Sequence, residues 1–132
     1  MLKKGIFHPQ LCKVLAELRH MDMLVVGDAG LPIPKGVERV DLGWLEGSPG
    51  YLEVLKALMD EIVVEKAIFA NEALEVSPEF HKKALELLPE NLPLEYIPHA
   101  ELKKTSKEAK AIVLTGEFTG YTNVILVCGC AY

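Results

Sequence analysis

The chain is 132 residues long and half hydrophobic, with 14 basic against 19 acidic side chains, a net charge of −5 with histidine neutral. A chain of this size buries about two thirds of the surface it exposes when unfolded, so it needs neither disulfides nor a structural metal to hold a core. The acidic balance, with no basic cluster denser than Lys103-Lys104, leaves no footprint for a phosphate backbone, and nucleic acid is not an expected partner.

The start of the chain, Met1 to Pro9, is basic but has no apolar stretch behind it, which is not the pattern of a signal peptide. No apolar run approaches the roughly 18 residues of a membrane span, so no membrane partner is expected. The chain reads as soluble and cytoplasmic. Cys12, Cys128 and Cys130 make an odd count without CxxC spacing, which suits a reducing compartment and predicts small buried hydrophobes.

From Pro9 to Arg19, Leu11, Val14, Leu15 and Leu18 recur at helical spacing behind a proline suited to a first helical position, which predicts a first amphipathic helix. His20 stands at its end. Met23 to Val26 is too short for a helix and rich in valine, hence a buried strand. Three glycines and two prolines from Gly27 to Gly36 make the next stretch a loop. Val37 to Leu42 alternates weakly as a short strand, and Leu52, Leu55, Leu58 and Met59 mark a second helix. Val63 to Ala70 is a second core strand. Ser77 is placed to cap a third helix that turns Phe80, Ala84, Leu87 and Leu88 inward. Leu94 to Ile97 reads as a strand, Pro98 to Leu102 as a short helical turn and Ala111 to Leu114 as a strand. Val124 to Cys130 closes the series with Val124, Leu126, Cys128 and Cys130 on one face and Ile125 and Val127 on the other. A strand apolar on both faces belongs inside a sheet. This alternation predicts an α/β fold, one three-layer domain over residues 1–132 with a mostly parallel central sheet and helices on both faces.

Sheets of this kind bind ligands in the loops beyond their strand ends. The polar residues of such loops are His20 and Asp22 before the first strand, Asp28 after it, His99 after the fourth, and Glu117, Tyr121 and Asn123 before the last, and a convergent site would gather them. His20 suits proton transfer, since a helix C-terminus and a nearby carboxylate both favour the imidazolium; by position it is equally a capping residue. Asp28, among glycines that let a ligand approach the backbone, is either a carboxylate for two adjacent hydroxyls or an Asx-turn residue. His99 is a residue of a helix start or a ligand contact. Tyr121 and Asn123, two apart on an entering strand, would share a face, or else they are turn residues. His8 and His81 read as solvated. The histidines show no metal spacing, Gly27 to Gly30 is not a dinucleotide fingerprint, and Ser48, Ser77 and Ser106 lack a nucleophile elbow. What remains is imidazole and carboxylate chemistry on a polar small molecule.

Leu18-Arg19-His20-Met21-Asp22, then Leu24 to Gly27 followed by Asp28-Ala29-Gly30-Leu31-Pro32-Ile33-Pro34, and Gly116-Glu117 followed by Tyr121-Thr122-Asn123, together resemble the ribose pyranase / fucose mutarotase family, nearly end to end. The Gly-Leu-Pro-Ile-Pro continuation after Asp28-Ala29 leans to the ribose branch. The resemblance implies an isomerase that interconverts β-D-ribopyranose and β-D-ribofuranose without a cofactor and without a metal. It implies His20 as the proton donor and Asp28, His99, Tyr121, Thr122 and Asn123 as sugar contacts. It also implies a homo-oligomer, a decamer of two pentamers with the site near a subunit contact, and a link to ribokinase. Arg19, Ala100 and Gly120 depart from the residues usual at those positions in the family. The rival expectations are a mutarotase for fucose or another aldose and a sugar-binding protein without catalysis.

Overall fold

The computed structural model describes all 132 residues. One six-stranded sheet runs in the order β2-β5-β1-β6-β3-β4. Its strands are β1 Met23–Gly27, β2 Glu38–Asp41, β3 Val64–Ala70, β4 Leu94–Ile97, β5 Ala111–Leu114 and β6 Val124–Cys128. All pairings are parallel except those of β6, which runs against β1 and β3 on either side of it. The fold class is the expected one, and β6 lies inside the sheet as its two apolar faces require.

The alternation of side chains along the strands divides the core in two. Leu24, Val26, Val113, Val124 and Leu126 pack with α1 (Pro9–Glu17), α2 (Tyr51–Met59) and α4 (Pro78–Glu86) on one face. Val25, Ile112, Leu114, Ile125 and Val127 pack with Leu31 and with Leu102 of α5 (His99–Thr105) on the other. The first layer is the thicker one.

Several boundaries differ from the expected ones. Helix α1 ends at Glu17 because Leu18 is already extended (φ −61°, ψ 139°), so His20 stands three residues beyond the helix rather than at its end. A one-turn helix, α3 (Glu72–Val76), precedes α4; it is too short to announce itself by periodicity. Ser77 occupies the cap position of α4 but caps nothing, and its hydroxyl donates to the Gly120 carbonyl at 3.4 Å. Cys130 lies beyond β6 and is exposed, and Cys12 is half-buried. Only Cys128 is a buried hydrophobe: burial, with Asp22 and Glu65 nearby, pushes its thiol up to about 11. His81 is buried, not solvated, and its Nε2 meets the Tyr96 hydroxyl at 2.8 Å. No helix is long and apolar enough to cross a membrane.

Candidate functional site

At the carboxyl end of the parallel strands, β1 stops at Gly27 and β6 starts at Val124, and because the two are antiparallel their flanking residues meet. Asn123 Oδ1 accepts the Asp28 backbone N–H at 3.0 Å, while Asn123 Nδ2 donates to Asp28 Oδ2 at 3.1 Å. The other carboxylate oxygen, Asp28 Oδ1, accepts the Gly30 N–H at 3.0 Å. The Asx-turn role foreseen for Asp28 is present, and the same bonds hold its carboxylate in a fixed position. Asn123 is 1% exposed, so this exchange also satisfies a buried amide.

The loop after β5 braces the one after β1. Thr115 Oγ1 donates to the Gly27 carbonyl at 2.8 Å, and the Ala29 N–H donates to the Glu117 carbonyl at 2.8 Å. The Glu117 carboxylate takes the Thr119 hydroxyl and N–H on Oε1, and the Tyr51 N–H at the start of α2 on Oε2. A cleft of about 370 Å³ opens between Asp28-Ala29-Gly30 and Glu117, Phe118 and Gly120, a size that suits a small ligand. A larger cavity of about 460 Å³, between Gly5–Pro9 and α2, is mostly apolar and gathers no comparable set of converging polar groups.

His99 opens α5 at the same end of the sheet, its backbone N–H held by the Glu72 carboxylate at 2.9 and 3.2 Å. Its ring stands edge-on to Tyr121, with centroids 5.1 Å apart. Burial and the charge of Lys103 hold the imidazole below its ordinary range, against a smaller opposing pull from Glu72 and Asp28. His99 is therefore neutral at neutral pH, with one nitrogen to donate and one to accept. Tyr121 does not lie on an entering strand, since its φ of +63° places it in a left-handed turn. The alternation argument for Tyr121 and Asn123 fails for that reason, although both reach the site. Thr122 is buried and its hydroxyl donates to the Thr119 carbonyl at 2.8 Å, which fixes the turn.

Asp28, His99, Tyr121, Thr122 and Asn123 are thus gathered, and His20 is not. It precedes β1, whereas Asp28 follows it. At about 3.3 Å per residue the strand separates them by roughly 20 Å. His20 is exposed at the opposite end of the sheet, where its Nε2 meets Glu65 Oε2 at 2.9 Å. A single chain does not converge the expected set. The structure adds three residues not foreseen as site groups. Glu65 orients His20, Glu72 seats His99, and Tyr51 lies buried beside Asp28, whose charge acts on its phenol. The carboxylates carry no local sequence signal, because their partners are 45 and 27 positions away. No three His, Cys, Asp or Glu side chains are placed to hold a metal ion.

A profile of the RbsD / FucU transport protein family matches residues 1–131. The chain belongs to this family. A D-ribose pyranase of Clostridium perfringens (strain SM101 / Type A) is 42% identical over 132 residues, all of both chains. D-ribose pyranase 1 of Rubrobacter xylanophilus is 47% identical over 129 residues, 98% of each. Among solved structures, Bacillus subtilis RbsD complexed with D-ribose superposes with a TM-score of 0.95 at 41% identity, covering all of both chains. The fucose mutarotase of Streptococcus pneumoniae, in complex with L-fucose, shares the fold with a TM-score of 0.81 at 22% identity, over 99% of this chain and 100% of that one.

Proposed function

We propose that the protein is a D-ribose pyranase, an isomerase that interconverts β-D-ribopyranose and β-D-ribofuranose. The observation that carries this reading is the end-to-end match, at 42% identity, to a relative named for that activity. The reaction needs proton transfer and little else. The anomeric hydroxyl loses its proton as the C1–O5 bond breaks and O5 gains one, which leaves the open aldehyde. After rotation about the chain, O4 adds to C1, O4 loses its proton and O1 regains one. A single acid–base group serves both directions, and in this reading His20 is the donor. Asp28 fixes adjacent sugar hydroxyls, and Asn123, His99, Tyr121 and Thr122 orient the ring. The reciprocal Asp28–Asn123 bonding supports this assignment, because an already ordered carboxylate binds hydroxyls at little entropic cost.

The separation of His20 from Asp28 supports a site shared by two copies, with His20 of one copy against Asp28 of the next. Both ends of the sheet expose apolar side chains suited to such contact: Trp44, Leu45 and Phe118 on one side, Met21, Val63 and Tyr132 on the other. Two different surfaces in contact make a head-to-tail interface, which generates a ring when its rotation closes. The assembly we propose is a decamer of two pentameric rings, located in the cytoplasm, where the furanose it forms is consumed by ribokinase. The test is saturation-transfer NMR on equilibrated D-ribose with wild type, His20→Ala and buffer, repeated on L-fucose. Faster pyranose-to-furanose exchange with wild type alone bears the reading out. Binding without faster exchange identifies a sugar-binding protein, and acceleration confined to fucose identifies a mutarotase.

A further inference from the structure

Beneath the Asp28–Asn123 pair lies a polar group that the proposed reaction does not employ. Tyr51, the first residue of α2, is 1% exposed, its ring tilted against Phe80 at 6.1 Å, and its hydroxyl is sealed from solvent without a hydrogen-bond partner in the protein. A hydroxyl left so is as costly as a lost hydrogen bond, and such groups are satisfied by ordered water where space allows. Tyr51 also lines a cavity of about 10 Å³, between α2, α4 and the Tyr121–Asn123 turn. That is room for a single water centre. The other polar residues around it are Ser77, His81, Tyr121, Thr122 and Asn123, enough for the two to four partners a buried water needs.

The hydrogen-bond inventory of Asn123 indicates which partner matters. One Nδ2 hydrogen goes to Asp28 Oδ2 and Oδ1 receives the Asp28 N–H, which leaves the second Nδ2 hydrogen and one Oδ1 lone pair to be satisfied in a residue that is almost fully buried. Burial, reinforced by the Asp28 charge, pushes the Tyr51 phenol far above its ordinary range, so the hydroxyl stays neutral and can both donate and accept. We infer that this cavity holds one ordered water joining the Tyr51 hydroxyl to the Asn123 side-chain amide, which makes Tyr51 a positioning residue for the Asp28–Asn123 pair. Its effect on the reaction rests on the reading of Asp28 and Asn123 as sugar contacts.

The first test needs no variant. A crystal structure of wild type that resolves ordered solvent is expected to show a water within hydrogen-bond distance of Tyr51 Oη and Asn123 Nδ2, and a dry cavity overturns the inference. The second is Tyr51→Phe, which removes the hydroxyl alone. The Asn123 side-chain amide resonances are expected to shift in the sugar-free protein, and the dissociation constant for D-ribose to rise about tenfold. A variant that loses thermal stability while keeping both the resonances and the affinity marks a packing role only and overturns the inference. Should Tyr51→Phe fail to fold, the wild-type density decides alone. The density and the amide resonances are read without ribose turnover, so a wild type that does not accelerate exchange sinks the pyranase reading and leaves this one standing.

Discussion

If His20 and Asp28 act at one site, the roughly 20 Å of sheet between them in a single chain forces the two groups to come from different copies. Mixing two inactive variants tests this directly. His20→Ala removes the proton donor and Asp28→Ala the carboxylate, and loss of a positioned general acid lowers the rate roughly a hundredfold or more. In a head-to-tail ring each site takes His20 from one copy and Asp28 from its neighbour. When the variants are co-assembled in equal amounts at random, half of the copies offering His20 are intact and half of those offering Asp28 are intact. About one quarter of the sites are then complete, whatever the number of copies in the ring. Saturation-transfer NMR on D-ribose is therefore expected to return about a quarter of wild-type exchange from a mixture of two nearly silent parents. Native mass spectrometry of differently tagged chains verifies that mixed rings formed. Confirmed mixed rings no more active than their parents would refute the two-copy site.

Two further outcomes follow from local geometry. A Cβ added at Gly27 would stand 2.5 Å from Leu31 Cδ2 and 2.8 Å from Asn123 Oδ1, so Gly27→Ala must displace the amide that holds Asp28. Ribose affinity is expected to fall about tenfold, with a stability loss of about 1–3 kcal/mol from overpacking; calorimetric titration at wild-type affinity would count against the Asp28–Asn123 clamp. Burial holds His81 below the ordinary imidazole range, so above about pH 6.5 it is neutral folded and unfolded alike. As pH falls below that value the unfolded chain binds the proton first, and stability is lost until the lowered folded value is passed. Denaturant melts between about pH 7 and pH 5 are expected to show this decline. His81→Gln should flatten it, leaving a smaller slope of the same sign from His99; an unchanged slope would exclude His81 as the source.

Most of the framework was readable because each strand carries its own signal. Leu94–Ile97 and Ala111–Leu114 begin and end as expected, and β6 announced its central place by being apolar on both faces. Legibility ended where a neighbour, rather than the local pattern, decides. His81 stands between Phe80 and two lysines on α4, and only the arrival of Phe69 and Tyr96 from β3 and β4 shows that it faces inward. Tyr51 looks like an ordinary core residue until its hydroxyl is seen to lack a partner. The early end of α1 follows from the extended backbone at Leu18, which apolar periodicity does not register. Of the expected site, the Asp28 cluster was legible as loop residues beyond strand ends. Its separation from His20 is written in the same order of residues, since His20 precedes the strand that Asp28 follows, but gathering every polar loop residue into one site passes over which end of the sheet each loop occupies.

That separation follows from the length of one strand. Residues before β1 and residues after it sit at opposite ends of the sheet, and no rearrangement of loops closes a gap the strand itself spans. The antiparallel β6 repeats the division: it delivers Asn123 to Asp28 at one end and, at the other, the Cys128 carbonyl to the Met21 N–H beside His20 at 2.9 Å. The two central strands thus brace both groups of residues, and in the proposed reading the sheet is a rigid spacer between His20 and the Asp28 cluster. In that reading the geometry of the reaction is a property of the contact between copies. Substitutions at Trp44, which is exposed and lies outside the Asp28 cleft, are therefore expected to act on catalysis through assembly, with loss of exchange tracking loss of the ring on size-exclusion chromatography. A dissociated variant that kept wild-type exchange would mean that one copy suffices, and the proton donor would then have to be sought at the Asp28 end, where His99 is the candidate.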